Sequence, residues 1–229
     1  MKRISVILFG PPGSGKGTQA KLLRQCLQGA HISTGDMLRQ RIARGDAIGQ
    51  EAAALMQAGQ LVPDEMVNRM VEDRIRQADC EHGFILDGYP RTVAQAGMVD
   101  KLLAANAIEP LVIHLRVDYN VIVGRLAARR QCANCQAVYN LQQNPPRMEG
   151  VCDNCGGALV RRDDDREEVV RERLAAYERQ TAPVLEYFRG AGYEVDEVSA
   201  SHGAPQAIAE QICGLIERRQ QAAPRAVRR

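Results

Sequence analysis

Apolar residues recur along this chain in short continuous runs separated by stretches of helical spacing. Ile4–Phe9, Phe84–Leu86, Leu111–Leu115 and Tyr193–Val198 read as strands buried on both faces. Between them apolar positions return every three or four residues: Ala20, Leu23 and Leu27; Val67, Val71 and Ile75; Val99, Leu102 and Leu103; Val170, Leu174 and Tyr177. A last helical face, Ile208, Ile212, Leu215 and Ile216, follows Pro205, a residue suited to the first turn of a helix. Strands alternating with amphipathic helices predict an α/β fold, a doubly wound parallel sheet with helices on both faces. Two stretches interrupt the alternation. Ser33–Val62 is mainly helical, and 128–165 is rich in turns, with Asn144-Pro145-Pro146 and four cysteines. Both are expected at the ligand edge of the sheet. The organisation is then one domain over 1–217, with a core (1–32, 63–127, 166–217), a helical insertion (33–62) and a second insertion (128–165). The arginine-rich tail 218–229 reads as disordered.

The most specific local pattern joins the first strand to the first helix: Gly10-Pro11-Pro12-Gly13-Ser14-Gly15-Lys16-Gly17-Thr18. Glycines lack a Cβ, so successive backbone N–H groups can converge on an anion. The helix starting near Lys16 adds the positive end of its dipole, and Lys16 a mobile charge. The loop therefore predicts polyphosphate binding. Its hydroxyl is displaced by one position: the usual pattern sets Ser or Thr straight after the lysine to hold Mg²⁺, and here Gly17 intervenes before Thr18. A second such element ends the strand Gly83-Phe84-Ile85-Leu86 at Asp87 and continues Gly88-Tyr89-Pro90-Arg91-Thr92. An acid at the C-terminal end of a strand beside the phosphate loop can organise Mg²⁺ or its waters. Arg91, one residue past a proline at the same edge, has a guanidinium fork that matches two phosphate oxygens at once.

Composition changes this picture little. The chain has 229 residues, 45% of them hydrophobic, enough for a real core, and a net charge of +2 favours no long nucleic-acid track. Met1-Lys2-Arg3 before an apolar run resembles a signal-peptide start, but the run is six residues long, contains Ser5 and flows into the phosphate loop. A cytoplasmic chain without a membrane segment is expected. The cysteines change more. Cys132-x2-Cys135-x16-Cys152-x2-Cys155 has the paired spacing of a closed, structural tetrahedral zinc site; a disulfide pair is the alternative, disfavoured in a reducing compartment. Cys26 and Cys213, on apolar helical faces, and Cys80, at a helix end, read as packing residues.

Taken together, Gly10 through Ala20, Ile32-Ser33-Thr34-Gly35-Asp36-Met37-Leu38-Arg39, Phe84 through Thr92, and Asp164-Asp165 with Glu167-Glu168 before Arg173 closely resemble the adenylate kinase family, over nearly the whole chain. The likeness is to the long bacterial form, whose lid in many members carries a zinc knuckle. That family's phosphate loop also has Gly before Thr, its Mg²⁺ being held largely through water. The resemblance implies a five-stranded nucleoside monophosphate kinase sheet with an AMP-binding insertion and a lid, acting on ATP, AMP and ADP as a monomer without nucleic-acid or membrane partners. It implies catalytic roles for Lys16, Arg91, Arg129, Arg162 and Arg173. ATP would meet Gly13, Ser14, Gly15, Lys16, Gly17, Thr18, Arg125, Arg129, Val138, Tyr139 and the backbone of Ala204. AMP would meet Thr34, Arg39, Gln60, Leu61, Val62, Gly88, Tyr89, Pro90, Arg91, Gln95, Arg162 and Arg173, the Gln95 amide pairing with an adenine edge. Asp36 and Asp87 would order the waters of Mg²⁺, and Cys132, Cys135, Cys152 and Cys155 would hold structural zinc. A kinase for CMP, UMP or GMP shares the phosphate chemistry, so the choice of AMP rests on few residues. A zinc-ribbon nucleic-acid binder has little support, because between the cysteine pairs only Tyr139 is aromatic and only Arg147 basic.

Overall fold

A computed structural model describes residues 3–221. The first half runs β1 (Ile4–Phe9), α1 (Lys16–Leu27), β2 (Ala30–Ser33), α2 (Thr34–Arg44), α3 (Ala47–Gln57), α4 (Asp64–Ile75), β3 (Gly83–Asp87), α5 (Val93–Ala105) and β4 (Glu109–Arg116). It continues α6 (Tyr119–Ala127), β5 (Arg129–Cys132), β6 (Val138–Asn140), β7 (Leu159–Val160), α7 (Glu167–Ala176), α8 (Ala182–Gly190), β8 (Val195–Ser199) and α9 (Pro205–Gln221). Five strands form one parallel sheet in the order β2-β3-β1-β4-β8. Because all five run the same way, the end of β1, Ser33, Asp87 and Ser199 emerge along a single edge, where a sheet of this kind binds ligands.

The near-continuous apolar runs serve both faces of that sheet. On β1, Val6 and Leu8 pack with Leu23 and Leu27 of α1 and with Ile212 and Ile216 of α9, whereas Ile7 and Phe9 pack on the other face with Val67, Val99 and Phe188. The period of two repeats on β3, where Phe84 and Leu86 share the second face and Ile85 the first. The predicted strands are present, with the fourth beginning at Val195 rather than Tyr193. The hydroxyl of Tyr193 instead donates to Asp100 on α5. Strand β2 was not visible as an apolar run because it is four residues long and only Ala30 and Ile32 are buried. Between α6 and α7 lies a separate antiparallel sheet, β6-β5-β7, with Arg130 opposite Tyr139 and Cys132 opposite Leu159.

Two sequence readings are corrected. Cys26 and Cys213 are joined in a disulfide rather than merely packed: α1 and α9 lie side by side, bringing their Cα atoms to 5.9 Å, inside the range a disulfide spans. A sequence separation of 187 positions hides that contact from the sequence. Arg218 and Arg219 belong to α9, which continues to Gln221, and Arg219 pairs with Glu109 at 3.5 Å and Glu194 at 3.3 Å. The rest of the expected disordered tail, 222–229, lies outside the described residues. Among the described residues no helix is long and apolar enough to cross a membrane.

Phe188 is fully buried and meets Phe9, Tyr187 and Tyr193 edge-on, with ring centroids 5.8, 5.6 and 5.8 Å away. Phe188→Ala is expected to cost about 3–5 kcal/mol, read as a lower urea midpoint at unchanged slope; a loss under about 1 kcal/mol contradicts this packing.

Candidate active site

The phosphate loop follows from where β1 ends. The chain leaves Phe9 and turns through Gly13 at φ +82°, where a Cβ would stand 2.9 Å from Leu126, before entering α1 at Lys16. No side chain caps that helix, whereas Ser33, Asp46 and Thr92 cap α2, α3 and α5. The N-terminal N–H groups of α1 thus face the cleft with no side-chain acceptor of their own. Lys16 Nζ donates to the carbonyls of Gly10 (2.6 Å) and Pro11 (3.0 Å). Burial pushes its pKa down to about 7; Asp87 opposes this, and Arg91, Arg173 and Arg129 reinforce it. Asp87 stands beside the position after Lys16: a Cβ on Gly17 would lie 3.3 Å from its Oδ2, a tight approach to a side-chain tip.

A cleft of about 600 Å³ opens in front of this loop. Arg39 from α2, Arg91 after β3, Arg125 from α6, Arg129 from β5, Arg162 after β7 and Arg173 from α7 all reach it. These arginines are separated in sequence by up to 134 positions (173 minus 39) and meet only in the fold. Burial depresses the pKa of Arg91 to about 10 and of Arg162 to about 9, with neighbouring guanidiniums adding to the effect, and Arg173 shifts downward for the same reasons. The balancing carboxylates were quoted in the sequence motif, but no role in the site was given to them. Asp165, inaccessible to solvent, receives both Nε (2.6 Å) and Nη2 of Arg129, and Arg173 Nη1 at 3.3 Å. Asp164 pairs with Arg173 at 3.0 Å and lies 3.9 Å from Arg39. Arg162 donates through Nε to Gln131 of β5 at 2.6 Å.

Asp36 and Asp87 both line the cleft, as does Thr18. Hard oxygen donors of this kind suit Mg²⁺, directly or through water. Asp87 is 9% exposed and lies 3.3 Å from His31 Nε2, while Asp36 accepts from Arg39 at 2.6 Å. Burial tends to raise the Asp36 pKa, but the charge and hydrogen bond of Arg39 outweigh it, so the group stays below its ordinary value.

A narrow side pocket of about 60 Å³ adjoins the cleft, lined by Thr34, Arg39, Gln60, Leu61, Val62, Gly88, Arg91 and Gln95. Thr34 Oγ1 donates to the Gly88 carbonyl at 2.8 Å, and Arg91 Nε to the same oxygen at 2.7 Å. Pro90 lines the main cleft. Behind α7 the helix widens into a π-helical turn over Tyr177–Thr181, and Thr181 Oγ1 donates to the Arg91 carbonyl at 3.0 Å.

Two expected contacts lie elsewhere. Tyr89 is buried in the core with its hydroxyl donating to Asn68, so its side chain faces away from the pocket. Ala204 is exposed and its carbonyl accepts from Ala207 and Ile208 as α9 begins; Gly203 and Pro205 line the cleft instead. Val138 sits half-exposed on the rim. Tyr139 reaches the cleft too, but its hydroxyl turns to the cysteines, 3.4 Å from Cys152 Sγ, and accepts from Asp153 N–H.

The sulfurs of Cys132, Cys135, Cys152 and Cys155 lie within 4.8 Å of one another. Cys132–Cys155 and Cys135–Cys152 approach to 3.4 and 3.5 Å, close to the roughly 3.8 Å edge of a tetrahedron with Zn–S bonds of about 2.3 Å. The backbone beside them is shaped to the sulfurs: a Cβ on Gly157 would stand 3.0 Å from Cys132 Sγ and 3.4 Å from Cys155 Sγ. Four soft thiol donors around one point fit zinc.

The family model described as Adenylate kinase matches residues 8–193. The chain is 47% identical over 208 residues to an adenylate kinase of Syntrophomonas wolfei, a span covering 90% of this chain and 96% of that protein. It is 50% identical over 192 residues to one from Streptomyces griseus (83% and 88% covered) and 46% over 215 residues to one from Archaeoglobus fulgidus (91% and 99%). Since the matched span takes in the phosphate loop, both insertions and each of the converging arginines, the chain belongs to the adenylate kinase family.

Proposed function

We propose that the main cleft takes MgATP and the side pocket AMP, with the transferring phosphoryl group passing between them under Lys16 and the arginines. The reaction is the family's reversible one, ATP and AMP giving two ADP, which keeps the adenine nucleotides in balance. The observation that supports these roles is the convergence of Lys16 with Arg39, Arg91, Arg129, Arg162 and Arg173 on one cleft. Two polyanions repel each other, so the main task is to neutralise and align them. No strong base is needed for a direct in-line transfer. Backbone N–H groups of Gly13 through Thr18 bind the ATP phosphates, and Lys16 leaves the Gly10 and Pro11 carbonyls to follow the charge. Arg125, Arg129 and the Val138–Tyr139 edge line the ATP side. Arg39 and Arg91 fix the AMP phosphate, and Arg162 and Arg173 bridge to the transferring group. Asp36 and Asp87 would hold Mg²⁺ through water, and the metal would supply further neutralisation of the polyphosphate.

Water competes as nucleophile, so the AMP insertion (33–62) and the lid (128–165) close over the substrates to exclude it. In the lid, Cys132, Cys135, Cys152 and Cys155 would hold zinc, and four thiolates would leave it no open position, so its role would be structural. All the converging cations come from one chain, which supports a monomer. Small soluble substrates support a cytoplasmic setting without nucleic-acid or membrane partners.

Arg91→Ala is expected to lower kcat about a hundredfold or more, roughly 2.7 kcal/mol of barrier, with little change in melting temperature. A kcat within about threefold of the parent rules out the assignment. Lys16 gives a proton signature. Its pKa is depressed to about 7 in the free protein, and bound polyphosphate raises it. Nucleotide binding should therefore take up about 0.9 proton at pH 8 and only about 0.1 at pH 6 beyond what Lys16→Met takes up, measured by calorimetry in buffers of different ionisation heat. Equal uptake by both proteins contradicts it. For the lid, elemental analysis should find one zinc per chain. Cys132→Ser with Cys135→Ser should lower the melting temperature while transferase activity survives at low temperature. A folded, zinc-free variant with no activity at all would overturn the structural role.

A further inference from the structure

The side chain of Gln95 is held from two sides by groups that cannot exchange roles. Its Oε1 accepts from the Arg91 backbone N–H at 2.7 Å, and its Nε2 donates to Asp64 Oδ1 at 2.7 Å. A backbone N–H can only donate, and an ionised carboxylate can only accept. Rotating the amide by a half-turn would set N–H against N–H at Arg91 and oxygen against oxygen at Asp64, two mismatches in a site where Gln95 is 2% exposed. Asp64 is itself fixed. It is the first residue of α4, and its other oxygen accepts from Thr92 Oγ1 at 2.6 Å, the residue that caps α5 through Gln95 N–H.

We propose that Asp64 is a specificity-determining positioning residue, which locks the orientation of the Gln95 amide and so selects a 6-aminopurine over a 6-oxopurine monophosphate. The inference rests on the reading of the side pocket as the site of the AMP base. With one N–H and one lone pair committed, the amide has one N–H and one lone pair left, and Gln95 lines the pocket. Directed together at a base, these two match the 6-amino donor and N1 acceptor of adenine. A 6-oxopurine in the same pose presents an acceptor and a donor in the opposite order, and only the rotated amide could match it. An unrestrained glutamine would accept both bases. Arg91 N–H alone opposes rotation with one mismatch, and Asp64 supplies the second without touching the nucleotide.

The test compares kcat/KM for AMP and inosine monophosphate in the parent enzyme and in Asp64→Asn. Asparagine keeps the shape and can still accept from Thr92, but its NH₂ can donate to a rotated Gln95. The AMP preference should fall at least tenfold, through both a rise for inosine monophosphate and a loss for AMP, mainly in KM. An unchanged preference in Asp64→Asn, or equal losses with both nucleotides, overturns the lock. Should Asp64→Asn fail to fold by circular dichroism, the parent enzyme decides. Its Gln95 side-chain ¹⁵NH₂ signals should show one slowly and one rapidly exchanging proton, and two rapidly exchanging protons overturn the proposal. Gln95→Ala separates the two levels: if it leaves KM for AMP unchanged the pocket reading itself fails, and if it raises KM while Asp64→Asn leaves the preference alone, only the lock fails.

Discussion

Crowding positive charge into one cleft is the constraint on which the rest of this molecule depends. Lys16 and the arginines around it repel one another, and the depressed pKa values of Lys16, Arg91, Arg162 and Arg173 all include that repulsion among their causes, behind burial. The fold answers with carboxylates at chosen points: Asp165 between Arg129 and Arg173, Asp164 between Arg173 and Arg39, Asp36 on Arg39, and Asp87 beside Gly17. Buried ion pairs of this kind add little net stability, because desolvation consumes most of the attraction. Their value is geometric. A carboxylate offers a guanidinium the same pair of oxygens that a phosphate does, so the paired carboxylates hold these arginines in an arrangement that would suit a phosphate.

The surrounding architecture serves that arrangement. A parallel sheet delivers the phosphate loop, Ser33 and Asp87 to one edge, and the two hydrophobic clusters fix its faces. The small antiparallel sheet carries Arg129 at one end of β5 and turns Gln131 onto Arg162, so its register sets the spacing of two cations. That sheet has little core of its own: Cys132, Tyr139 and Cys152, with Ala137 and Leu159 against them. A cluster of four thiols at its far end is what such a segment needs to hold a fixed shape, and the Tyr139 hydroxyl ties the cluster to the strand that faces the cleft.

How much of this was legible in the sequence depended on whether the signal was local. Lys16 and its glycines, Arg91 one residue past Pro90, and the paired cysteines each carry their chemistry within a few positions, and Val67, Val99 and Ile212 declare the core by spacing alone. Strand β2 was too short and too polar at His31 and Ser33 to stand out. Tyr89 sits inside a phosphate motif, yet its ring turns into the core, where its hydroxyl donates to Asn68 of α4, a partner 21 positions away in sequence. The Cys26–Cys213 bond, the ion pairs of Arg219 and the contacts of Asp64 and Asp165 join distant segments and have no local pattern. Gln95 shows the division within one residue: its type suggested base recognition, but the partners that orient it come from α4 and from the turn after β3.

Electrostatic preorganisation of this kind moves its cost from the transition state to folding. Cations gathered in advance need not be reoriented when charge shifts between nucleotides, but the free protein must hold them together without that charge. The side chains that bear the load are therefore remote from the chemistry. Phe188 and its ring neighbours secure α8, which leads through the π-helical turn to Thr181 and hence to the Arg91 carbonyl. Apolar packing at the far side of the second face thereby fixes the backbone of an arginine in the cleft. The same logic extends to carboxylates such as Asp164, which links Arg173 of α7 to Arg39 of α2. An arriving phosphate would take over those guanidiniums, so substrate binding exchanges one set of anionic oxygens for another rather than assembling a new site.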